Sequence, residues 1–179
     1  KLYVTSHPVA LSDNSTESIL KIPGWISEWL KIKFIKENPE NKKKFSNKIY
    51  LDRSDSKSNV KNLRSIINEE EVKNYLVKEG FQSIKLSDLH FKDQVLIFNS
   101  AKIIIGLHGG GFANIPFCKP DTKIVEFKAN PFDDVIKNLA TKNNLIHHSV
   151  DCAFDEVRKF NQFGHVKVPL NELKLILKS

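Results

Sequence analysis

Three observations predict a Rossmann-like α/β domain, a parallel sheet with helices on both faces. From residue 48 on, strand-like and helix-like segments alternate at intervals of roughly 20 to 30 residues, the rhythm of βα units. The run Lys102-Ile-Ile-Ile-Gly-Leu107 is almost wholly apolar, the pattern of a strand buried on both faces. That run stops at His108-Gly109-Gly110-Gly111, so four of the chain's seven glycines fall between Gly106 and Gly111. Crossovers in such a sheet are expected to be right-handed.

The elements follow in order. Residues 1–45 read as a lead-in, with a short alternating strand at 1–9. An amphipathic helix from Gly24 carries Trp25, Trp29, Ile32 and Ile35 near helical spacing, with Pro39 closing it. The polar stretch 38–47 is the natural boundary, leaving 46–179 as the Rossmann-like domain with a C-terminal helix. Residues 48–54 form the first strand. A helix spans 68–80, with Asn68 as N-cap, Glu71 completing a capping box and Gly80 ending it. Residues 81–88 form the second strand, and 90–101 a helix with Phe91, Val95 and Phe98 on one face. The third strand, 102–109, leads into a short helix over 110–118. The fourth strand, 122–129, precedes a helix over 131–144 with Asp133 and Asp134 in its first turn. A fifth strand at 145–150 and a last helix at 170–178 complete the pattern.

Composition narrows the function. At 179 residues and 40% hydrophobic, the chain can bury a core. No apolar run is long enough to span a bilayer, and the start lacks the order of a signal peptide. The absence of methionine suggests a processed product or a fragment. Cys118 and Cys152 lack metal-ligand spacing and read as free thiols. The net charge is +7, and residues 31–48 hold seven lysines against two glutamates. A solvated face explains that excess, and peripheral contact with an anionic membrane is the sharper reading. Nucleic acid is not expected as a partner, because the lysine stretch has too few aromatic residues to form a stacking platform. Against twenty-five lysines stand three arginines, and Arg53 and Arg64 lie close together. Arginine offers a planar fork where lysine offers a point charge, so the pair points to phosphate or carboxylate.

Ligands of such sheets bind beyond the carboxyl ends of the strands. Gly109, Gly110 and Gly111 sit at one such end and open a helix, where bare N–H groups favour an anion. The pattern is neither G-x-G-x-x-G nor a Walker loop. It also follows the third strand, which argues against an ordinary NAD site. Asn114, one turn on, is placed to donate to the same ligand. Glu126 is read at the ligand-facing end of the fourth strand, either as an acceptor for sugar hydroxyls or as a solvated carboxylate. Asn68, Glu69 and Gln94 are supporting residues, Gln94 being a polar residue among apolar positions that needs a partner. His147 and His148 read as structural. No D-x-D and no His/Asp/Glu cluster suggests a metal site.

The ordered set Arg53, Arg64-Ser-Ile-Ile-Asn68-Glu69-Glu-Glu71, Gly80-Phe81, Asp93-Gln94-Val95, His108-Gly109-Gly110-Gly111-Phe-Ala-Asn114 and Val125-Glu126 resembles glycosyltransferase family 61. The likeness covers about residues 48–150. Gly110 departs from it, since the family usually has alanine there. The family includes plant and animal enzymes adding xylose, arabinose or N-acetylglucosamine, and many bacterial proteins of capsular polysaccharide biosynthesis.

The resemblance implies a GT-B architecture of which this chain is the C-terminal, donor-binding half. The acceptor-binding half is expected outside it. It further implies an inverting, metal-independent transfer from a nucleotide sugar, UDP-linked, to a glycan hydroxyl, with no cofactor. Gly109, Gly110 and Gly111 would cradle the diphosphate. Arg53 and Arg64 would neutralise it or hold the loop that does. Asn114 would donate to phosphate or ribose, Glu126 would accept from ribose, and His108, the catalytic candidate, would contact donor sugar or phosphate. The general base on the acceptor stays unassigned at this point. A non-catalytic nucleotide- or polysaccharide-binding module is the alternative, and a nucleic-acid-binding protein the third reading. The lysine, asparagine and isoleucine bias points to a bacterium, hence to cytoplasm beside the inner membrane. A eukaryotic relative would sit in the lumen of the secretory pathway.

Overall fold

The computed structural model describes residues 15–35, 45–54, 64–129, 134–154 and 165–178. The strand expected at 1–9 lies outside the described residues. Two helices, α1 (Ser15–Leu20) and α2 (Gly24–Phe34), come first. The strands are β1 (Lys48–Leu51), β2 (Gln82–Ile84), β3 (Ile103–Leu107), β4 (Lys123–Ala129), β5 (Ile146–Phe154) and β6 (Val166–Lys167). The helices between and after them are α3 (Glu69–Lys78), α4 (Phe91–Ser100), α5 (Val135–Lys142) and α6 (Leu170–Lys178). Short 3-10 helices occupy Leu86–Asp88 and Gly110–Phe117.

The sheet order is β2-β1-β3-β4-β5-β6, with β1 to β5 parallel and β6 antiparallel to β5. The chain leaves β1 for β2 on one side, then crosses back to lay β3 on the other. The β1/β3 border is therefore the topological switch point, where the loops after two adjacent strands diverge and leave a crevice. Arg53 follows β1 and His108 follows β3, so both stand at that crevice.

Alternation along each strand sends side chains to two cores. Ile49, Leu51, Ile104 and Ile124 pack beneath Val95 and Phe98 of α4, Phe112 and Ile115 of the 3-10 helix, and Ile136 of α5. Tyr50, Ile105, Val125 and Phe127 face Val72 and Leu76 of α3 and Leu173 of α6. Helices on both faces are what the apolar runs required. Helix α2 lays Leu30 on the first core and sets Phe34 edge-on to Phe91, ring centroids 5.2 Å apart. Cys118 belongs to the first core and Cys152 to the second. The sheet separates the two thiols, and burial pushes each up to about 12.

Two local expectations need correction. Asn68 stands at the N-cap of α3 but makes no side-chain cap bond. Its amide pairs instead with the backbone of Val168, donating to that carbonyl at 3.0 Å and accepting from that N–H at 2.9 Å. A backbone edge offers a primary amide both partners at once, which a helix terminus does not. Helix α5 begins at Val135, so Asp134 is its N-cap position rather than part of its first turn, and its carboxylate faces Lys128 and Lys137.

Candidate functional site

The two arginines converge on one atom. Arg53 Nη1 donates to the carbonyl oxygen of His108 at 2.9 Å, and Arg64 Nη1 approaches the same oxygen at 3.4 Å. Arg64 is buried. Chain segments far apart in sequence thus fasten the start of the glycine turn.

Gly109 explains why the turn needs glycine. Its φ of +152° is one that L side chains rarely adopt. A Cβ on Gly109 would stand 2.3 Å from Arg53 Nη1, so the backbone runs directly under the guanidinium. Gly106 is tight as well: a Cβ there would meet Leu51 Cβ at 3.0 Å. Gly110 has nothing within 4 Å of that position, and Gly111 only ordinary contacts with Leu51 and Leu86. An alanine at Gly110 therefore fits this backbone.

Beneath the turn, Asn114 Nδ2 donates to Gln94 Oε1 at 3.0 Å, while Gln94 Nε2 donates to the carbonyls of Leu86 and Leu89. Asn114 was expected to reach a ligand with this amide. One of its N–H groups goes to Gln94, which ties the 3-10 helix to α4 and the 86–89 turn and leaves the second N–H to a ligand. Gln94 has the partner its apolar surroundings demanded.

Glu126 also departs from expectation. β4 continues to Ala129, so Glu126 lies mid-strand and only 1% exposed. Both carboxylate oxygens are engaged: Oε1 by Nδ1 of His108, and Oε2 by Nε2 of His147 at 2.8 Å. It has no exposed edge to offer a ribose. Burial by itself raises the Glu126 pKa. The hydrogen bonds and charges of His108 and His147 together outweigh that, and the carboxyl titrates below its ordinary value of 4.5. An ionised carboxylate only accepts, so both imidazole nitrogens facing it carry protons.

His147 was read as structural, and the sheet register makes it part of this chain of contacts. His147 pairs with Ile124 and Glu126 with Ser149, so the two are diagonal neighbours on one face. The signal available in sequence was the acid inside the apolar run Ile124-Val-Glu-Phe127, which needs partners when buried. The partner's identity depended on register.

Around the crevice, Glu69 and Arg53 line a cavity of about 10 Å³ together with Tyr50, Leu51, Ser65, Ile66 and Leu107. Asp52, absent from the sequence reading, secures the end of β1. It accepts from Lys73 Nζ at 2.9 Å, from Ser83 Oγ at 3.3 Å and from the Ser54 N–H at 2.8 Å. Burial pushes the Asp52 pKa up, but Lys73 and the Ser54 hydrogen bonds bring it below 3.8. Among the described residues, no group of three or more His, Cys, Asp and Glu is placed to hold a metal ion.

These shifts set an acid-stability expectation. Both carboxylates titrate lower in the folded chain than in the unfolded one. Their contribution is fully present above their ordinary values, near 4.5 and 3.8, and is lost as pH falls through the folded values. Urea midpoints should hold from neutrality to about pH 5 and fall steeply below it. A midpoint rising between pH 5 and pH 3 would contradict the ionised, paired state of Glu126 and Asp52.

Fold and site together define a doubly wound α/β protein with two arginines fastened to a glycine turn at its switch point. The model of the family described as Glycosyltransferase 61 matches residues 4–125. The chain belongs to glycosyltransferase family 61. No curated protein matches it. The matched span begins well upstream of the motifs that carried the resemblance and takes in α1 and α2. It includes Arg53, Arg64, Asn68, Glu69, Gln94, the turn from His108 to Gly111, and Asn114. It ends one residue before Glu126, so Glu126 and His147 lie beyond it.

Proposed function

We propose that this chain is the donor-binding half of a GT-B glycosyltransferase that moves a sugar, with inversion, from a nucleotide sugar to a glycan hydroxyl. The observation that carries this reading is the convergence of Arg53 and Arg64 on the His108 carbonyl at the switch point. It places two fixed positive charges beside a turn whose N–H groups open a 3-10 helix. A diphosphate is the anion such an arrangement suits.

In this scheme the turn from Gly109 to Gly111 approaches the diphosphate, and the arginines both hold the turn and offset the leaving charge. Gln94 and Asn114 support the turn from below. His108 serves as the general base. Glu126 holds a proton on its Nδ1, so Nε2 is the basic nitrogen. That nitrogen takes the acceptor hydroxyl's proton while the acceptor oxygen bonds to the anomeric carbon. The bond from that carbon to the diphosphate oxygen breaks, and the nucleoside diphosphate leaves with the electron pair. A UDP-linked donor, a glycan acceptor, a metal-independent reaction and an acceptor half outside this chain belong to the same proposal.

Calorimetric titration of the chain with UDP, GDP, CDP and NAD in EDTA tests it. One nucleoside diphosphate should bind and NAD should not. Arg53→Ala should weaken that binding by at least about tenfold, the loss of one charge-assisted contact to phosphate. If no nucleotide binds, this reading fails. Binding without release of UDP from any UDP-sugar would favour a non-catalytic module.

A further inference from the structure

Helix α2 is apolar on both sides. Its inner side places Ser27, Leu30, Phe34 and Ile35 toward the first core. Its outer side carries Trp25, Trp29 and Ile32, spaced i, i+4 and i+7, which makes one stripe on a helix. They are 60%, 48% and 75% exposed. Leu20 of α1, also half exposed, extends the same lead-in. These are the chain's two tryptophans, and large aromatics gathered on an exposed stripe mark an interaction site.

The charges around the stripe select its occupant. Lys21 and Lys33 are exposed beside it, Lys31 is partly exposed on the same helix, and Lys142 of α5 reaches the carbonyl of Leu20 at 2.8 Å. Two acids, Glu17 and Glu28, share the region. Residues 31–48, which continue from α2, carry seven lysines against two glutamates. A second copy of the chain would bring a lysine-rich rim against its like. Tryptophan seats at the headgroup level of a bilayer, with its ring body in the acyl boundary and its N–H in the wet layer. Lysines beside it meet anionic headgroups.

We infer that α2 is a membrane-docking helix that lies flat on an anionic bilayer with Trp25, Trp29 and Ile32 facing the lipid. This is independent of the donor-site reading. No helix among the described residues is long and apolar enough to cross a membrane, so the contact is peripheral for these helices.

Because the two tryptophans both lie on this stripe, tryptophan emission, excited where tyrosine does not absorb, reports it alone. The 179-residue chain is titrated with phosphatidylcholine vesicles, with and without about one third phosphatidylglycerol, a share high enough to give a strongly negative surface. The expected result is a blue shift with the anionic vesicles and none with the neutral ones. Ile32→Glu keeps both tryptophans and changes an exposed position. It should weaken vesicle binding about tenfold, and Lys33→Glu, a change of two charges, about twentyfold. Unaltered circular dichroism and thermal midpoints in both variants would show that the fold is intact. An unchanged emission with anionic vesicles overturns the proposal. So does an equal shift with neutral vesicles, which would remove the role of the lysines. A blue shift on raising protein concentration without lipid would assign the stripe to a second copy instead.

Discussion

Gly109→Ala is expected to remove nucleoside diphosphate binding and to destabilise the chain by about 1–3 kcal/mol, the scale of a strained non-glycine backbone. Two costs coincide at this position. The backbone has a φ of +152°, and the new methyl group would stand 2.3 Å from Arg53 Nη1. Relief comes from a shift of the guanidinium, the far end of a flexible side chain, and that shift strains or breaks the 2.9 Å bond that fastens the His108 carbonyl. The loop and its principal cation would then be displaced together. Gly110→Ala is the internal control, because its methyl group would meet nothing within 4 Å. Stability should change by less than about 0.5 kcal/mol, as at an ordinary surface site. Binding by Gly110→Ala tests something further. If the diphosphate packs against the backbone at Gly110, affinity falls while stability does not. Equal stability and affinity in Gly109→Ala and wild type would remove the close approach of Arg53 from the account.

Glu126→Gln should leave the fold in place and slow turnover on the order of 10²–10⁴-fold, the scale on which a mis-set imidazole tautomer acts in a carboxylate-oriented pair. The amide keeps the shape of the carboxylate. It has one accepting oxygen where Glu126 has two, so it can satisfy His108 or His147 but not both. Where its NH₂ meets His108, the Nδ1 proton must move to Nε2, and the basic nitrogen is lost. Release of UDP from a UDP-sugar, with water in the acceptor's place, measures this without knowledge of the acceptor. Nucleotide affinity should change little, since Glu126 is buried and touches no ligand in the scheme. A large loss of affinity with turnover intact would mean that Glu126 positions the donor site and that His108 is not the base.

The two variants separate binding from chemistry. Gly109→Ala acts on the anion site, and Glu126→Gln on the proton path. Neither depends on the membrane-docking helix, whose outer residues point away from the core that supports the site.

Much of this was legible in the residues. The βα rhythm and the continuous apolar β3 are local patterns, and local patterns set the fold class. The glycine turn was legible for the same reason, because a conformation closed to L side chains leaves a mark at one position. The arginine pair stood out by composition. Gln94 announced a partner through its apolar neighbours, though not which one. The helix from Gly24 was legible too, but of its expected stripe Trp25, Trp29 and Ile32 face outward, while Leu30 and Ile35 meet the core.

What the tertiary structure decided were the pairings that cross the sheet. Nothing local says that Arg53 lies under Gly109, since β1 and β3 become neighbours only through the crossover that creates the switch point. The contact of Glu126 with His147 depends on β4–β5 register, and a slip of one residue would send His147 to the other face. Asn68 preferred the backbone of Val168 to the helix end, and Asn114 gave one N–H to Gln94. In each case a short, partly buried polar side chain took a partner that the tertiary fold brought beside it, because leaving such a group unpaired is costly. The sequence by itself singled out the residues that the proposed function uses: a glycine turn, two arginines and a histidine. Only the folded sheet determined which of them touch, because those contacts are set by strand order and register, which join residues far apart in the chain.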